Sequence, residues 1–274
     1  MTIKVVACDL DGTFLNEQGS YDRTRFERVL ACLEQKDIRF VVASGNNMKR
    51  IKLIFDGLVD RLSYVAENGA YVLENNQPLI RQHMNQSDIQ DFLAYFQGRH
   101  RDYRVMISTG SGSYMLEGIN MANAFHMIEE EQMKLFLSGI RFIEDFSQLP
   151  QGEEILKVTM LLPVDQCNQI CQEFNQAFEG RLTAVTSGFG AIDIITTGIH
   201  KAWGLQILLE KWGVTSEQVM AFGDGENDIE MLKLAKLSYA MDNAPQTVKS
   251  VARYLAPHHR DEGVLRVLED KFLS

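Results

Sequence analysis

Long apolar runs are missing from the 274 residues of this chain. No segment approaches the roughly 18 uninterrupted apolar residues that a membrane-spanning helix needs. The apolar run before Asp9 is also too short for the central region of a signal peptide. We therefore expect a protein that works in the cytoplasm and does not insert into a membrane.

Cysteine is scarce, and none of the four cysteines forms a CxxC pair or a zinc-ribbon spacing. Cys167 and Cys171 lie four positions apart on a predicted helix, a spacing that can hold a metal ion. No histidine lies near them, however, and buried thiols are the commoner use of isolated cysteines. We favour buried thiols at these two positions.

Basic residues are outnumbered, with 27 Lys and Arg against 37 Asp and Glu and a net charge of −10. They also form no cluster, whereas a nucleic-acid site needs clustered Lys and Arg to bind phosphate backbones. The sequence therefore argues against a nucleic-acid partner. An acidic protein can still bind a small phosphorylated metabolite if positive charge is concentrated locally, for example by a metal ion. No feature of the sequence predicts an oligomeric state.

Strands and helices alternate over residues 1–83. Segments 3–8 and 38–43 have the continuous apolar character of buried strands. Between them, segment 22–36 repeats its apolar residues at the spacing of one helix face. A strand pair with a glycine turn follows at 63–73. This alternation is typical of a parallel sheet with helices on both faces.

The pattern changes near residue 84, and we assign residues 84–194 to a second, α+β module. Tight turns join its neighbouring strands, which predicts an antiparallel sheet. The predicted elements are a helix at 88–97, a strand near 103–108, a glycine-rich turn at 109–113, a strand at 154–163, a helix at 164–178, and strands at 181–187 and 191–196.

The first pattern returns over residues 195–274, with buried strands at 219–222 and 237–241. Helices are predicted around them, at 200–213, 229–235, 244–252 and 262–272. We therefore predict one α/β core that is built from both ends of the chain, with the α+β module inserted in its middle.

Three polar clusters follow predicted strands of the core. Asp9 and Asp11 come after the first strand, Ser44-Gly45-Asn46 after the second, and the segment 223–228 after the strand at 219–222. Open α/β sheets bind ligands outside the carboxyl ends of their strands. Carboxylates that meet there repel each other unless a cation neutralises them. Oxygen ligands without cysteine or histidine indicate Mg²⁺.

Each cluster has a simpler alternative, in which its polar residues lie in a solvated loop and cap helices. Ser44 and Asp228 both suit that role. Lys201 also has two interpretations, because it begins a predicted helix, where the macrodipole disfavours a cation. It is either an exposed lysine tolerated at small cost or a cation aimed, with the helix terminus, at an anion. The placement of Lys201 alone does not separate these two possibilities.

Other phosphate and metal motifs fail on position. An EF-hand loop counted from Asp9 would need glycine at Phe14 and glutamate at Ser20, and a loop counted from Asp224 fails in the same way. The chain has no GxxxxGK[ST] loop, and GFGAID at 188–193 lacks the last glycine of a dinucleotide-binding loop.

The segment DLDGT (9–13), Ser44, Lys201 and the segment GDGEND (223–228) occur in this order along the chain. Together they resemble the four motifs of the haloacid dehalogenase (HAD) superfamily, whose first motif is DxDGT and whose fourth is GDxxND. The stretches SGNN, AENGA and SGFGAIDI further resemble the Cof-type branch, in particular its sugar-phosphate phosphatases. The resemblance implies a Rossmann-like HAD core and covers most of the chain, more loosely over 110–150.

The spacing of these motifs identifies the inserted module. Ser44 follows Asp9 by 35 positions, which is too few for a domain, whereas 157 positions separate Ser44 from Lys201. The α+β module at 84–194 fits in the longer interval. It resembles the type IIB (C2B) cap domains of the family.

The resemblance implies a role for each matching residue. Asp9 would be the nucleophile that forms an aspartyl-phosphate. Asp11 would be the acid that protonates the leaving oxygen and then the base that activates water. Mg²⁺ would be held by Asp9, the main-chain carbonyl of Asp11 and Asp224, with Asp228 as a supporting or additional ligand. The phosphoryl oxygens would be bound by Ser44, the Gly45 amide, Lys201 and Asn227.

Two further positions each allow more than one interpretation. Many Cof-type members carry a basic residue where this chain has Asn46, which leaves the electrostatic contribution of that position open. Phe189, at the tip of the GFG turn, could reach the substrate, but a simple hairpin turn explains it equally well.

The resemblance implies Mg²⁺-dependent hydrolysis of small phosphorylated metabolites, with sugar phosphates favoured. One alternative is a sugar phosphomutase with the same type of cap. Another is a phosphate-sensing regulatory module, which should lack at least one of the four reactive residues, although all four are present: Asp9, Asp11, Lys201 and Asp224. A dehalogenase is disfavoured, because its chemistry does not need Asp11.

Overall fold

The computed structural model describes residues 2–119, 139–188 and 190–273, so Phe189 lies outside the described residues. Within these described ranges, fourteen strands form two sheets, one of eight strands and one of six. In chain order the strands are β1 (Val5–Cys8), β2 (Arg39–Ala43), β3 (Ser63–Ala66), β4 (Tyr71–Glu74), β5 (Gln77–Arg81), β6 (Met106–Thr109), β7 (Gly112–Leu116), β8 (Ile140–Ile143), β9 (Ile155–Leu161), β10 (Leu182–Thr186), β11 (Ala191–Thr196), β12 (Val219–Gly223), β13 (Leu237–Met241) and β14 (Tyr254–Ala256).

The first sheet has the strand order β14-β13-β12-β1-β2-β3-β4-β5. The six strands from β14 to β3 are parallel, as predicted, with Val6 opposite both Met220 and Phe40. At the edge, β3, β4 and β5 pair antiparallel. β3 and β4 are the strand pair with a glycine turn that the sequence predicts at 63–73, whereas β5 was not predicted. The cause of the antiparallel pairing is chain length: a parallel crossover needs a dozen or more residues, and only 67–70 connect β3 to β4.

Helices cover both faces of this sheet, as the sequence predicts. Successive β1 side chains point to opposite faces, so Val6 packs in one core cluster and Val5 in another. Helices Arg23–Gln35 and Gly263–Phe272 contribute to the first cluster, and Lys201–Trp212 to the second. The other α-helices in the described part of the chain are Met48–Ile54, Gln86–Tyr95, Val164–Ala177, Ile229–Leu234 and Gln246–Lys249. Among the described helices, none is both long enough and apolar enough to cross a membrane.

The second sheet has the strand order β10-β11-β9-β6-β7-β8. Its pairs are antiparallel, as predicted, except that β7 and β8 are parallel. The predicted turn at 109–113 is shorter than expected, because β6 ends at Thr109 and β7 begins at Gly112. This sheet is built from the stretch that we assign to the inserted module, although β11 runs to Thr196; the boundaries at 84 and 194 stay predictions.

Cys167 and Cys171 lie on the helix Val164–Ala177 and are buried in the core of the second sheet. Burial raises the pKa of the Cys171 thiol to about 12. A metal binds the thiolate, so this environment disfavours a metal pair. The buried-thiol interpretation therefore fits the structure.

Candidate active site

The predicted polar clusters meet at one edge of the first sheet. Because β12, β1 and β2 are parallel neighbours, their carboxyl ends lie side by side. Asp9 directly follows β1, Ser44 follows β2 and Asp224 follows β12. The strand order therefore assembles residues that are up to 215 positions apart in the chain.

Lys201 is the cation of this edge. It is the first residue of the helix Lys201–Trp212, and its side chain is fully buried. Its Nζ donates hydrogen bonds to Asp9 Oδ1 at 2.6 Å and to Asp228 Oδ1 at 2.7 Å. Burial by itself lowers the pKa of Lys201, but the two carboxylates outweigh burial and hold that pKa above its ordinary value. The interpretation of Lys201 as an exposed lysine is therefore wrong.

Asp9, Asp224 and Asp228 form a compact acidic group. One carboxylate oxygen from each lies within 4.8 Å of the others. Burial raises the pKa of Asp9 well above its ordinary value, although Lys201 opposes the shift. Burial and the neighbouring Asp228 raise the pKa of Asp224 to about 7. Three carboxylates with one lysine leave excess negative charge on hard oxygen donors, which is the chemistry that suits Mg²⁺.

The carboxylate oxygens of Asp228 both have protein partners. Oδ1 accepts the hydrogen bond from Lys201, and Oδ2 accepts from the backbone N–H groups of Asp224 and Gly225, each at 3.0 Å. The capping alternative is thus correct only for the short 3₁₀ turn Glu226–Asp228, at whose start this carboxylate accepts a backbone N–H. Asp228 is fully buried, not solvated, and its side chain does not cap the helix Ile229–Leu234. The same contacts also orient Asp224 within the acidic group.

Gly12, Thr13 and Asn243 surround Asp224. Thr13 Oγ1 donates to Asp224 Oδ1 at 2.7 Å, and Asn243 Nδ2 donates to Asp224 Oδ2 at 3.2 Å. Gly12 has φ +75°, and a Cβ there would lie 2.3 Å from Asp224 Oδ2. The glycine of DLDGT is therefore required both by its backbone conformation and by the space that Asp224 occupies. Sequence analysis missed Asn243, although it follows β13 at the same sheet edge.

Asp11 does not share the partners of Asp9. Its carboxylate forms a two-point ion pair with Arg50, with Nη2–Oδ1 at 2.8 Å and Nη1–Oδ2 at 3.1 Å. Asn46 Nδ2 also donates to Asp11 Oδ2 at 2.6 Å. Burial alone would raise the pKa of Asp11, but Arg50 and Asn46 outweigh it and hold that pKa below its ordinary value. Sequence analysis missed Arg50 because it lies inside a helix, beyond the motif that precedes it.

The loop after β2 is shaped by its own side chains. Ser44 Oγ accepts hydrogen bonds from the backbone N–H of Asn46 at 3.1 Å and from Asn46 Nδ2 at 2.9 Å. Asn47, not Ser44, caps the helix Met48–Ile54. The capping alternative is therefore wrong for Ser44. Gly45 accepts a hydrogen bond at its carbonyl from Lys157 Nζ at 2.6 Å.

Residues of the second sheet reach this edge through buried polar contacts. Asp193 on β11 accepts from Asn68 Nδ2 at 2.7 Å and pairs with Lys157 Nζ at 2.9 Å. Asn68 in turn accepts from Asn227 Nδ2 at 3.0 Å. Two predicted phosphate-binding positions, Gly45 and Asn227, are thus tied to the second sheet. Sequence analysis singled out the stretches that contain Asn68 and Asp193 only as family resemblances.

Comparison with known proteins decides the family. A family model described as haloacid dehalogenase-like hydrolase matches residues 6–268. The chain belongs to that family. The predicted superfamily, its α/β fold and the hydrolase class are therefore confirmed, whereas the cap type and the roles of single residues stay predictions.

Individual haloacid dehalogenase-like relatives span the whole chain. The 5-amino-6-(5-phospho-D-ribitylamino)uracil phosphatase YbjI of Escherichia coli (strain K12) is 32% identical over 275 residues, covering 100% of this chain and 97% of the relative. The Bacillus subtilis (strain 168) protein of the same activity name, YcsE, is 25% identical over 268 residues, covering 97% and 94%. The crystal structure of SMU.1108c from Streptococcus mutans UA159 superposes with a TM-score of 0.89 at 40% identity, covering 100% of both chains.

Proposed function

We propose that this hydrolase is a Mg²⁺-dependent phosphatase of small phosphorylated metabolites, with sugar and sugar-alcohol phosphates as the favoured class. The observation that carries the proposal is the buried Asp9, held by Lys201 beside Asp224 and Asp228. The names of YbjI and YcsE support it, because their stated substrate carries its phosphate on a ribityl chain.

We also propose a cytoplasmic location, which suits four free thiols.

Asp9 is the nucleophile in this proposal. Lys201 contacts its Oδ1, which leaves Oδ2 to attack phosphorus. The bond between this oxygen and phosphorus forms as the bond from phosphorus to the leaving oxygen breaks. Water then attacks the aspartyl-phosphate, which releases inorganic phosphate and restores the carboxylate.

Asp11 carries the proton in both steps. In the first it gives a proton to the leaving oxygen, and in the second it takes one from the attacking water. Arg50 and Asn46 hold its carboxylate through three hydrogen bonds. The carboxylate is thus oriented before substrate arrives, and because the same contacts lower its pKa, it would take up its proton only when the negative charge of the phosphoryl group enters the site.

Asp9, the main-chain carbonyl of Asp11 and Asp224 would hold Mg²⁺. When bound, the ion would screen the negative charges of the nucleophile and the phosphoryl group from each other. Asp228 would support this site or join it as an additional ligand, since its oxygens are already oriented by Lys201 and by the backbone N–H groups of Asp224 and Gly225.

The phosphoryl oxygens would be bound by donors on three elements. Lys201 has three N–H donors, and Asp9 and Asp228 use two of them, so one remains for the substrate. Ser44, the Gly45 amide and Asn227 supply neutral donors at the same edge. Such donors stabilise the charge that moves onto these oxygens in the transition state.

Phosphate release from p-nitrophenyl phosphate tests this function. The purified protein should release phosphate with Mg²⁺ present and stop when EDTA is added. Asp9→Asn should lose nearly all turnover, whereas Asp165→Asn, an exposed position with the same change of charge, should keep it. Substantial turnover by Asp9→Asn would contradict the mechanism.

A substrate screen separates the phosphatase from its alternatives. Phosphorylated sugars, sugar alcohols, nucleotides and 5-amino-6-(5-phospho-D-ribitylamino)uracil should be compared at one concentration. Free phosphate should appear without a bisphosphate activator. Isomerisation that depends on a bisphosphate would instead show a phosphomutase, and phosphate binding without turnover would show a regulatory module.

A further inference from the structure

Arg50 contacts the proton-carrying Asp11 from one helical turn beyond the motif loop. It lies in the first turn of the helix Met48–Ile54, where the Asn47 side chain accepts the hydrogen bond of the Arg50 backbone N–H at 2.9 Å. That cap fixes the start of the helix and so the direction in which the arginine leaves it. Its guanidinium turns back and meets both oxygens of Asp11.

The contact between Arg50 and Asp11 is geometrically specific. A planar guanidinium matches the two oxygens of a carboxylate, so it fixes orientation as well as charge. Arg50 Nη1 also donates to Asn46 Oδ1. This contact orients the Asn46 amide, whose Nδ2 donates to Asp11 Oδ2 and to Ser44 Oγ. The Asp11 side chain is one-third exposed and would otherwise sample other rotamers.

We propose that Arg50 is the positioning residue for Asp11. It places a positive charge against Asp11 from four residues beyond the neutral Asn46. The inference rests on the proposed phosphatase function. The side-chain hydrogen bonds of Arg50 to described residues go to Asp11 and Asn46 and not to Asp9, Asp224 or Asp228, so the arginine acts through Asp11.

The reactivity of the leaving group separates a positioning role from a role in phosphate binding. p-Nitrophenolate is a weak base and leaves without a proton, whereas phenolate from phenyl phosphate gains much more from protonation. The two esters differ by one nitro group and present the same phosphoryl group. If Arg50 orients Asp11, loss of Arg50 should slow the hydrolysis of phenyl phosphate more than the hydrolysis of p-nitrophenyl phosphate.

The test compares kcat/KM for phenyl phosphate and p-nitrophenyl phosphate, because kcat/KM reports the step in which the leaving group departs. General acid catalysis is worth roughly 10²–10⁴ in rate, so Arg50→Gln should lower kcat/KM about tenfold or more for phenyl phosphate and less than about threefold for p-nitrophenyl phosphate. The ratio of the two values does not depend on the fraction of folded enzyme. A variant that folds poorly therefore still gives a result.

Lys52→Gln is the matched control, because Lys52 is exposed on the same helix and undergoes the same change of charge. It should leave the ratio unchanged. Arg50→Lys keeps the positive charge but cannot contact both Asp11 oxygens as the planar guanidinium does. It should therefore retain more phenyl phosphate activity than Arg50→Gln. In an Asp11→Asn background, Arg50→Gln should cause no further selective loss.

Three results would overturn the inference: an unchanged ratio in Arg50→Gln, equal losses for both esters, or a further selective loss in the Asp11→Asn background. Equal losses of kcat/KM for the two esters would mean that Arg50 binds the phosphoryl group or has a purely structural role. Failure of the proposed function looks different. In that case the wild-type protein itself would release no phosphate from either ester with Mg²⁺.

Discussion

Lys201 Nζ lies 2.7 Å from Asp228 Oδ1, and neither side chain has any exposure to solvent. The same ammonium lies 2.6 Å from Asp9 Oδ1. A buried charge is costly unless it is paired, so these three residues depend on each other for their ionised forms. The lysine of the candidate active site is therefore also part of the structure that holds the two ends of the chain together.

Lys201→Met should destabilise the protein strongly when no Mg²⁺ is present. Removing one member of a buried ion pair costs about 3–5 kcal/mol, because the remaining charges lose their partner. Urea unfolding in EDTA measures this loss. Lys211→Met is the control, since its half-exposed ion pair with Glu74 is worth ~1 kcal/mol or less. A similar loss in both variants would show that the buried ion pair contributes no more to the free energy of unfolding than the exposed pair does.

The sequence was sufficient to predict the sheet edge and most of the candidate site. Asp9, Ser44 and Asp224 each follow a buried apolar strand, and parallel strands necessarily present such positions together. The edge strands were harder to predict. β5 and β14 are largely exposed, so they lack the continuous apolar run that marks the central strands.

The residues that sequence analysis missed act across long separations or from within helices. Arg50 reaches Asp11 over 39 positions, and Lys157 reaches Gly45 over 112. Nothing in the local pattern distinguishes a helix arginine that turns towards a carboxylate from one that faces solvent. Asn243 is likewise visible only once β13 is placed beside β12.

Gly12→Ala should impair Mg²⁺ binding more than it impairs folding. The added methyl group would collide with Asp224 Oδ2, and the left-handed backbone of Gly12 also disfavours alanine. Gly213→Ala is a matched control, because Gly213 has φ +63° but open space around its Cβ position. The Mg²⁺ concentration for half-maximal activity should rise in Gly12→Ala and stay unchanged in Gly213→Ala. An equal effect in both would assign the cost to backbone strain alone.

Asp193→Asn should weaken phosphate binding from a distance. The carboxylate of Asp193 pairs with Lys157 and accepts a hydrogen bond from Asn68. Lys157 in turn donates to the Gly45 carbonyl, and Asn68 accepts from Asn227. Without the charge of Asp193, the buried Lys157 loses its closest anion. The hydrogen bonds from Lys157 to Gly45 and from Asn227 to Asn68 should then weaken. Competitive inhibition by inorganic phosphate should weaken, with a smaller change in kcat.

The control for this prediction is Asp91→Asn, at an exposed aspartate that pairs with Arg181. It should change neither the inhibition constant for phosphate nor kcat. If Asp193→Asn also left the inhibition constant unchanged, the polar contacts between the second sheet and the site would have no part in binding phosphate.

Glu67 should make the stability of the protein depend on pH. Its side chain is buried, and neither carboxylate oxygen has a hydrogen-bond partner in the described part of the chain. Burial raises the pKa of Glu67 from 4.5 to about 7, although Lys157, with its Nζ 3.7 Å from Oε2, opposes the shift. Since the folded state holds this proton more tightly than the unfolded state, the stabilisation is complete below pH ~4.5 and is lost as pH rises through ~7.

Glu67→Gln keeps the shape of the side chain and removes the carboxylate that must ionise. One unit of pKa shift corresponds to about 1.4 kcal/mol, and part of the shift is already felt at pH 5, so the variant should gain roughly 2.5 kcal/mol relative to wild type between pH 5 and pH 8.5. Urea unfolding at both pH values measures the gain, and subtracting the wild-type curve removes the titration of Asp9 and Asp224. Glu179→Gln, at an exposed position, should show no such gain. A difference between Glu67→Gln and wild type that does not change with pH would mean that Glu67 ionises at its ordinary pKa, with Lys157 as a full partner.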